Sequence, residues 1–116
     1  MKSYALSQAD RPVAQHVFVA GNCFSRFKGL MFRKSLPAGE GLFLKNCSAI
    51  HCCFMRFPID AVYLDKGMRV VAVETVKPWR LGGIHPGARH VLELGAGAGR
   101  DLVPGMPIKW KERAEI

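Results

Sequence analysis

The densest run of reactive side chains lies between Cys47 and Asp65, CSAIHCCFMRFPIDAVYLD. It holds three of the four cysteines, one histidine and two aspartates, which suits two chemistries. A zinc site needs three or four Cys, His or carboxylate ligands converging tetrahedrally. A thiol enzyme needs a cysteine of lowered pKa with a base within hydrogen-bond reach. On an extended chain His51 and Cys53 share a face at ~6.6 Å, so two groups can converge. Cys47 shares that face but lies ~13 Å from His51, and Cys52 points the other way. There is no Cys-x-x-Cys. A metal would need help from His85, His90 or Glu93, and none is expected. The catalytic trio that can be assembled is Cys53 as nucleophile, His51 as base, and Asp60 or Glu93 to orient the imidazole. The plainer reading is that the thiols are small buried hydrophobes and His51 a packed strand residue. Asp60, following Pro58-Ile59, would then satisfy turn amides. Glu93 sits within the apolar run Val91-Leu92-Glu93-Leu94 and must be paired if it faces the core. Arg33 and Arg56 are its candidate partners.

The run Glu93-Leu94-Gly95-Ala96-Gly97-Ala98-Gly99 resembles the cofactor loop of S-adenosylmethionine methyltransferases. Glycines let a backbone approach a cofactor closely. Position excludes that reading. Such a loop follows the first strand of a doubly wound sheet, and further βα units must come after it. Only 17 residues follow Gly99, Pro104 and Pro107 among them. A crossover unit needs about 30. The glycines are expected to form a tight turn after a strand, and no cofactor is expected.

The elements that would position these groups are short. Residues 1–12 read as a flexible lead-in. Val13–Ala20 is rich in β-branched residues and reads as a strand. Phe24, Phe27, Leu30 and Met31 fall on one helical face, which Asn22 would cap and Pro37 stop. Leu42–Lys45, Ala49–Met55, Ile59–Leu64, Val70–Val76, His90–Leu94 and Ile108–Trp110 read as strands. Asp65-Lys66-Gly67 is a hairpin signal. Residues 78–90 read as a loop on their Gly and Pro content, and 112–116 as a charged tail. The expectation is one β domain over residues 13–111. It is mainly β, an antiparallel barrel-like or jelly-roll-like sandwich with one short helix.

Three stretches carry a resemblance. They are Gly29-Leu30-Met31-Phe32-Arg33, then Phe54-Met55-Arg56-Phe57-Pro58-Ile59-Asp60-Ala61-Val62-Tyr63-Leu64-Asp65, then Val91-Leu92-Glu93-Leu94 with Gly97. In this order and at these separations they resemble the prokaryotic family of small uncharacterised domains numbered 192 among domains of unknown function. The resemblance runs from about Phe18 to Trp110. It implies a compact, mainly β domain and assigns no activity, cofactor or catalytic residue. Many members look exported. Many carry Trp-Met-Lys-Asn-Thr where this chain has Phe54-Met55-Arg56-Phe57-Pro58, and Pro-Ala-Gly where it has Gly95-Ala96-Gly97. No ligand is transferred from them.

Seventeen Lys and Arg against nine Asp and Glu give a net charge of +8, which admits nucleic acid, an anionic surface or an acidic partner. The cations are scattered, with Arg33-Lys34 the only adjacent pair, and no nucleic-acid motif is present. Nucleic acid is therefore not favoured, although Arg26, Lys28, Arg33, Lys34 and Arg80 could gather on one side beside Trp79. No apolar run is long enough to span a membrane. No export signal is visible, so a cytoplasmic chain with reduced thiols is expected, an exported form being the rival. The reading that fits best is a binding or accessory module for a small ligand or a protein partner. Its pocket would be lined by Arg33, His51, Met55, Asp60, Trp79 and Glu93. The thiol enzyme and the nucleic-acid module are the alternatives.

Overall fold

The computed structural model describes residues 3–20, 36–48 and 57–113. Seven strands form one sheet: β1 (Tyr4–Gln8), β2 (Arg11–Ala20), β3 (Glu40–Leu44), β4 (Ile59–Leu64), β5 (Val70–Val76), β6 (His90–Gly95) and β7 (Lys109–Glu112). Their order is β5-β4-β6-β3-β2-β1-β7. Every pairing is antiparallel except β2 with β3, which is parallel.

β4 and β5 fall where two short apolar runs and the Asp65-Lys66-Gly67 turn between them place them. Asp65 fixes that turn by accepting from the amides of Gly67 at 2.8 Å and Arg69 at 2.9 Å. β1 lies inside the expected lead-in, and Leu6 on it is 1% exposed. The turn that joins β1 to β2 pairs Gln8 with Arg11 and holds both Ala9 and Asp10 at positive φ. Two-residue hairpins of this kind usually announce themselves as Asn-Gly or Asp-Gly. Ala-Asp gives no such signal. β7 likewise runs one residue beyond the expected boundary, to Glu112.

The central strands β4 and β6 are buried along their length, so the sheet is covered on both faces there. One face carries Leu44, Ile59, Ala61, Tyr63, Val76 and Val91, packed with Leu36, Cys47 and Ala88 from connecting segments. The other carries Leu6, Val17, Phe43, Val62, Leu64, Val70, Leu92 and Leu94. This second cluster draws on six strands because the sheet curls around it. Phe43 on β3 and Trp110 on β7 are three ladder positions apart, yet their ring centroids are 4.7 Å apart. A flat sheet would separate those strands by ~14 Å. Gly41 on β3 permits the tight packing between β2 and β6. A Cβ there would sit 2.9 Å from Leu94 Cδ2 and 3.1 Å from the Glu93 carbonyl oxygen.

The chain is mainly β, as expected, but among the described residues the sheet is single, mixed and open and does not close into a barrel. The curl brings its two edges together at one corner only. Val70 donates to the Met106 carbonyl at 3.1 Å and accepts from the Gly105 amide at 2.8 Å. The chain then leaves β5 and pairs with β1 as β7, so the ladder between β5 and β7 never continues. The buried side chain of Gln8 reinforces this corner, donating to the carbonyls of Val103 and Met106 and accepting from the Val103 amide. The expected helix and the Ala49–Met55 strand lie largely outside the described residues.

Candidate functional site

Asp60 and Glu93 are both buried, but the ladder puts them on opposite faces. Asp60 pairs with Leu94, and Ala61 with Glu93. Neighbouring rungs alternate sides, so one carboxylate projects to each face. They do not converge on one base.

Asp60 is 3% exposed and lies at the end of β4. Its Oδ1 accepts from the Thr75 hydroxyl at 2.7 Å. Its Oδ2 accepts from the amides of Gly97 and Gly99, each at 2.9 Å. The glycine run is thus a tight turn, as expected, and its amides do cradle an anion. That anion is the chain's own carboxylate. Close packing requires the glycine at 99, where a Cβ would lie 3.0 Å from Val73 Cγ1 and 3.3 Å from Asp60 Oδ2.

Beside this knot opens a cleft of about 510 Å³, with Val73 and Thr75 on one wall and Gly99, Arg100 and Leu102 on the other. The first wall belongs to β5, an edge strand whose ladder neighbour is β4 alone. Asp60 lies at the base, and the exposed Arg100 supplies a positive charge at the rim.

On the opposite face a cross-strand row runs Glu74, Ala61, Glu93, Leu42 from β5 to β3. Glu74 and Glu93 are two strands apart, ~10 Å, with only an alanine between them. Glu93 is fully buried. Glu74 Oε1 accepts from the Tyr63 hydroxyl at 2.6 Å and the Gly83 amide at 2.6 Å, and lies 3.3 Å from His85 Nε2. The His85 ring packs on Tyr63, centroids 4.2 Å apart. Burial pushes the Glu74 carboxyl up, but the bonds from Tyr63, Gly83 and His85 outweigh it and hold the group below its ordinary value. This cluster clamps the β5–β6 loop to the sheet.

Trp79, in that loop, is 61% exposed and lies in neither arrangement described. Arg33, His51, Cys52, Cys53 and Met55 lie outside the described residues. Among the described residues no three His, Cys, Asp or Glu side chains come together as metal ligands. Cys47 is buried and disulfide-bonded, contrary to the expectation of reduced thiols. That expectation rested on the low cysteine content, the adjacent pair Cys52-Cys53 and the absence of a visible export signal, none of which says which cysteines fold together. The residues that sequence reasoning missed are Thr75, Arg100, Glu74 and Tyr63; His85 figures there only as a helper for a metal. Each matters through cross-strand register or a turn, and no local motif marks it.

Comparison with known proteins places this geometry in a lineage. The model of the DUF192 family, described as an uncharacterised ACR, matches residues 5–110. A UPF0127 protein of Pyrococcus horikoshii is 36% identical over 101 residues, covering 81% of this chain and 86% of that one. A UPF0127 protein of Thermococcus kodakarensis is 32% identical over 113 residues, covering 84% and 69%. Two solved structures share the fold. A putative transcription regulator from Sinorhizobium meliloti aligns with a TM-score of 0.75 at 21% identity, over 95% of this chain and 94% of that one. A protein of unknown function from Novosphingobium aromaticivorans aligns with a TM-score of 0.77 at 19% identity, over 93% and 84%. With most of its length matched by the family model and by these relatives, the chain belongs to the DUF192, or UPF0127, family.

Proposed function

We propose that the chain is a binding module whose site is the cleft between the edge of β5 and the Gly97–Pro104 segment. The observation that supports this is the cleft itself, at about 510 Å³. That is within the ~300–1,000 Å³ of small-ligand sites. A carboxylate fixed by three donors lies at its base, a guanidinium at its rim, and apolar side chains between. Such a site fits a small ligand with an apolar body and an acidic group for Arg100, or the acidic terminus of a protein partner. Of the described residues first expected to line the pocket, Asp60 belongs to this cleft, while Trp79 and Glu93 are not among its lining residues. Arg33, His51 and Met55 lie outside the described residues. The disulfide at Cys47 favours an oxidising compartment over the cytoplasm.

A thermal-shift screen of the purified chain against carboxylates, nucleotides, sugars, short acidic peptides and oligonucleotides tests the reading. A ligand at 100 times its Kd adds about 2.7 kcal/mol, or roughly 10 °C in a domain of this size. The expected hit carries an acid group and weakens at least tenfold in Arg100→Ala. No hit across the panel, or a hit indifferent to Arg100→Ala, would remove the cleft from consideration. A hit confined to oligonucleotides would instead favour the nucleic-acid reading, which the name of the Sinorhizobium neighbour invites for that protein.

A further inference from the structure

The loop between β5 and β6, residues 77–89, is unusual in what it exposes. Trp79 is 61% exposed, Leu81 77% and Ile84 90%. They account for three of the five large exposed hydrophobics among the described residues, within six positions of sequence. The same loop carries the exposed cations Lys77, Arg80 and Arg89 and no acidic residue at all. A soluble surface loop gains nothing from holding bulky apolar groups in water.

Nor is the exposure a result of slack chain. The loop is pinned on its inner side. The Gly83 amide is bound to Glu74, the His85 ring packs on Tyr63, Ala88 is buried in the core, and the Arg89 amide donates to the Leu64 carbonyl at 2.7 Å. Trp79 is held at a φ of 65°, a region that bulky residues rarely occupy. Backbone of this kind persists where the surrounding structure enforces it, and it gathers at ligand clamps.

We propose that this loop is a membrane-surface anchor that inserts Leu81 and Ile84 into the interface of an anionic phospholipid bilayer. Trp79 lies at headgroup level, where its amphipathic ring is favoured. Lys77 and Arg80, which flank Trp79 in sequence, face the lipid phosphates; Arg89, whose amide binds Leu64 at the far end of β4 from Lys77, stands apart from them. The charge pattern selects this partner: Lys77 and Arg80, in a loop with no acid, complement an anionic lipid surface, as does the chain's net +8. A side chain that is 90% exposed between the pinned Gly83 and His85 also suits a fluid interface better than a flat protein surface, which needs a contiguous patch.

The test is co-sedimentation of the full chain with vesicles of phosphatidylcholine alone, or with one third phosphatidylglycerol. Binding is expected to the anionic vesicles and not to the neutral ones, weakening as salt rises. The Leu81→Ser/Ile84→Ser double variant keeps the net charge and removes the inserting groups, so its affinity is expected to fall by at least about tenfold. Both side chains are exposed, so its melting temperature should match the parent's. Each of Lys77→Gln and Arg80→Gln is expected to cost about fivefold. Three results overturn the proposal. One is no binding to anionic vesicles at low salt. Another is binding that the double serine variant leaves intact, which is adsorption by net charge alone. The third is self-association without vesicle binding that the double variant abolishes, which assigns the loop to a second copy of the chain.

Discussion

Replacing Asp60 tests whether the glycine run is held by an internal anion. Three donors converge on that carboxylate: the Thr75 hydroxyl and the amides of Gly97 and Gly99. Hydrogen bonds to a charged group are each worth about 1.5–3 kcal/mol net. Asp60→Ala removes all three acceptors, but Thr75 is exposed and can turn to water. The cost left is that of two stranded glycine amides, about 3 kcal/mol in all. Unfolding entropy of about 2.1 cal/mol/K per residue gives roughly 0.24 kcal/mol/K for 116 residues. Asp60→Ala should therefore lower the melting temperature by about 12 °C. Asp60→Asn keeps one oxygen for the two amides, and the Thr75 hydroxyl can accept from its NH2 group. It loses only charge assistance, about 1 kcal/mol or 4 °C. Circular dichroism melts of the three proteins in one buffer check both values. The reasoning fails if Asp60→Ala melts within about 3 °C of the parent, or if Asn falls as far as Ala.

Acidification should destabilise the fold in two steps. Burial, and then the repulsion of Lys45 and Arg89, hold the His90 imidazole below its ordinary value, and its Nδ1 accepts from the Asn46 amide at 3.0 Å. The unfolded chain therefore takes up the proton first, so stability present above pH 6.5 is lost as pH falls below it. Glu74, with its lowered value, contributes above pH 4.5 and loses that contribution as pH falls further. Melting temperature against pH is expected to show both falls, and a His90→Gln variant should flatten the first. Gly41→Ala places a methyl 2.9 Å from Leu94 and 3.1 Å from a backbone oxygen, which should cost about 1–3 kcal/mol and be read in a denaturant titration. Thiol titration of the unfolded, unreduced chain should find no more than two free thiols of the four cysteines, since the Cys47 disulfide consumes two. Four free thiols would contradict it.

Much of the sheet is legible in the sequence where periodicity and turn chemistry agree. β4 and β5 coincide with the apolar runs on either side of Asp65-Lys66-Gly67, because both signals point to one hairpin. β1 is hidden because its turn uses Ala9-Asp10 at positive φ, a geometry those residues do not advertise. The open edge is hidden for a different reason. Whether a curled sheet closes depends on the path of residues 105–108 past Val70, a long-range hydrogen-bonding matter with no local pattern. The site shows the same division. The burial of Glu93 and the turn-binding role of Asp60 follow from residue type and neighbours. Their placement on opposite faces follows from the pairing of Ala61 with Glu93. A single-residue slip in that register would put both on one side.

The two buried acids explain why functional motifs misdirect in this chain. A Gly-x-Gly-x-Gly run after a strand signals amides free to bind an anion. Here the amides are real and their geometry is right, but β4 delivers Asp60 into the nest from inside the protein. By tying Gly97 and Gly99 down, Asp60 fixes the path of the segment 97–104 where Gly99 packs on Val73 of β5, and the cleft opens beside that contact. On this argument the carboxylate shapes the site more than it contacts a ligand. In the proposed binding reading, Arg100 is the group that recognises a ligand. The two roles separate experimentally. Asp60→Asn should alter stability with little change in ligand affinity, and Arg100→Ala should do the reverse. A ligand whose affinity collapses in Asp60→Asn, while the melting temperature holds, would show that the carboxylate binds it directly.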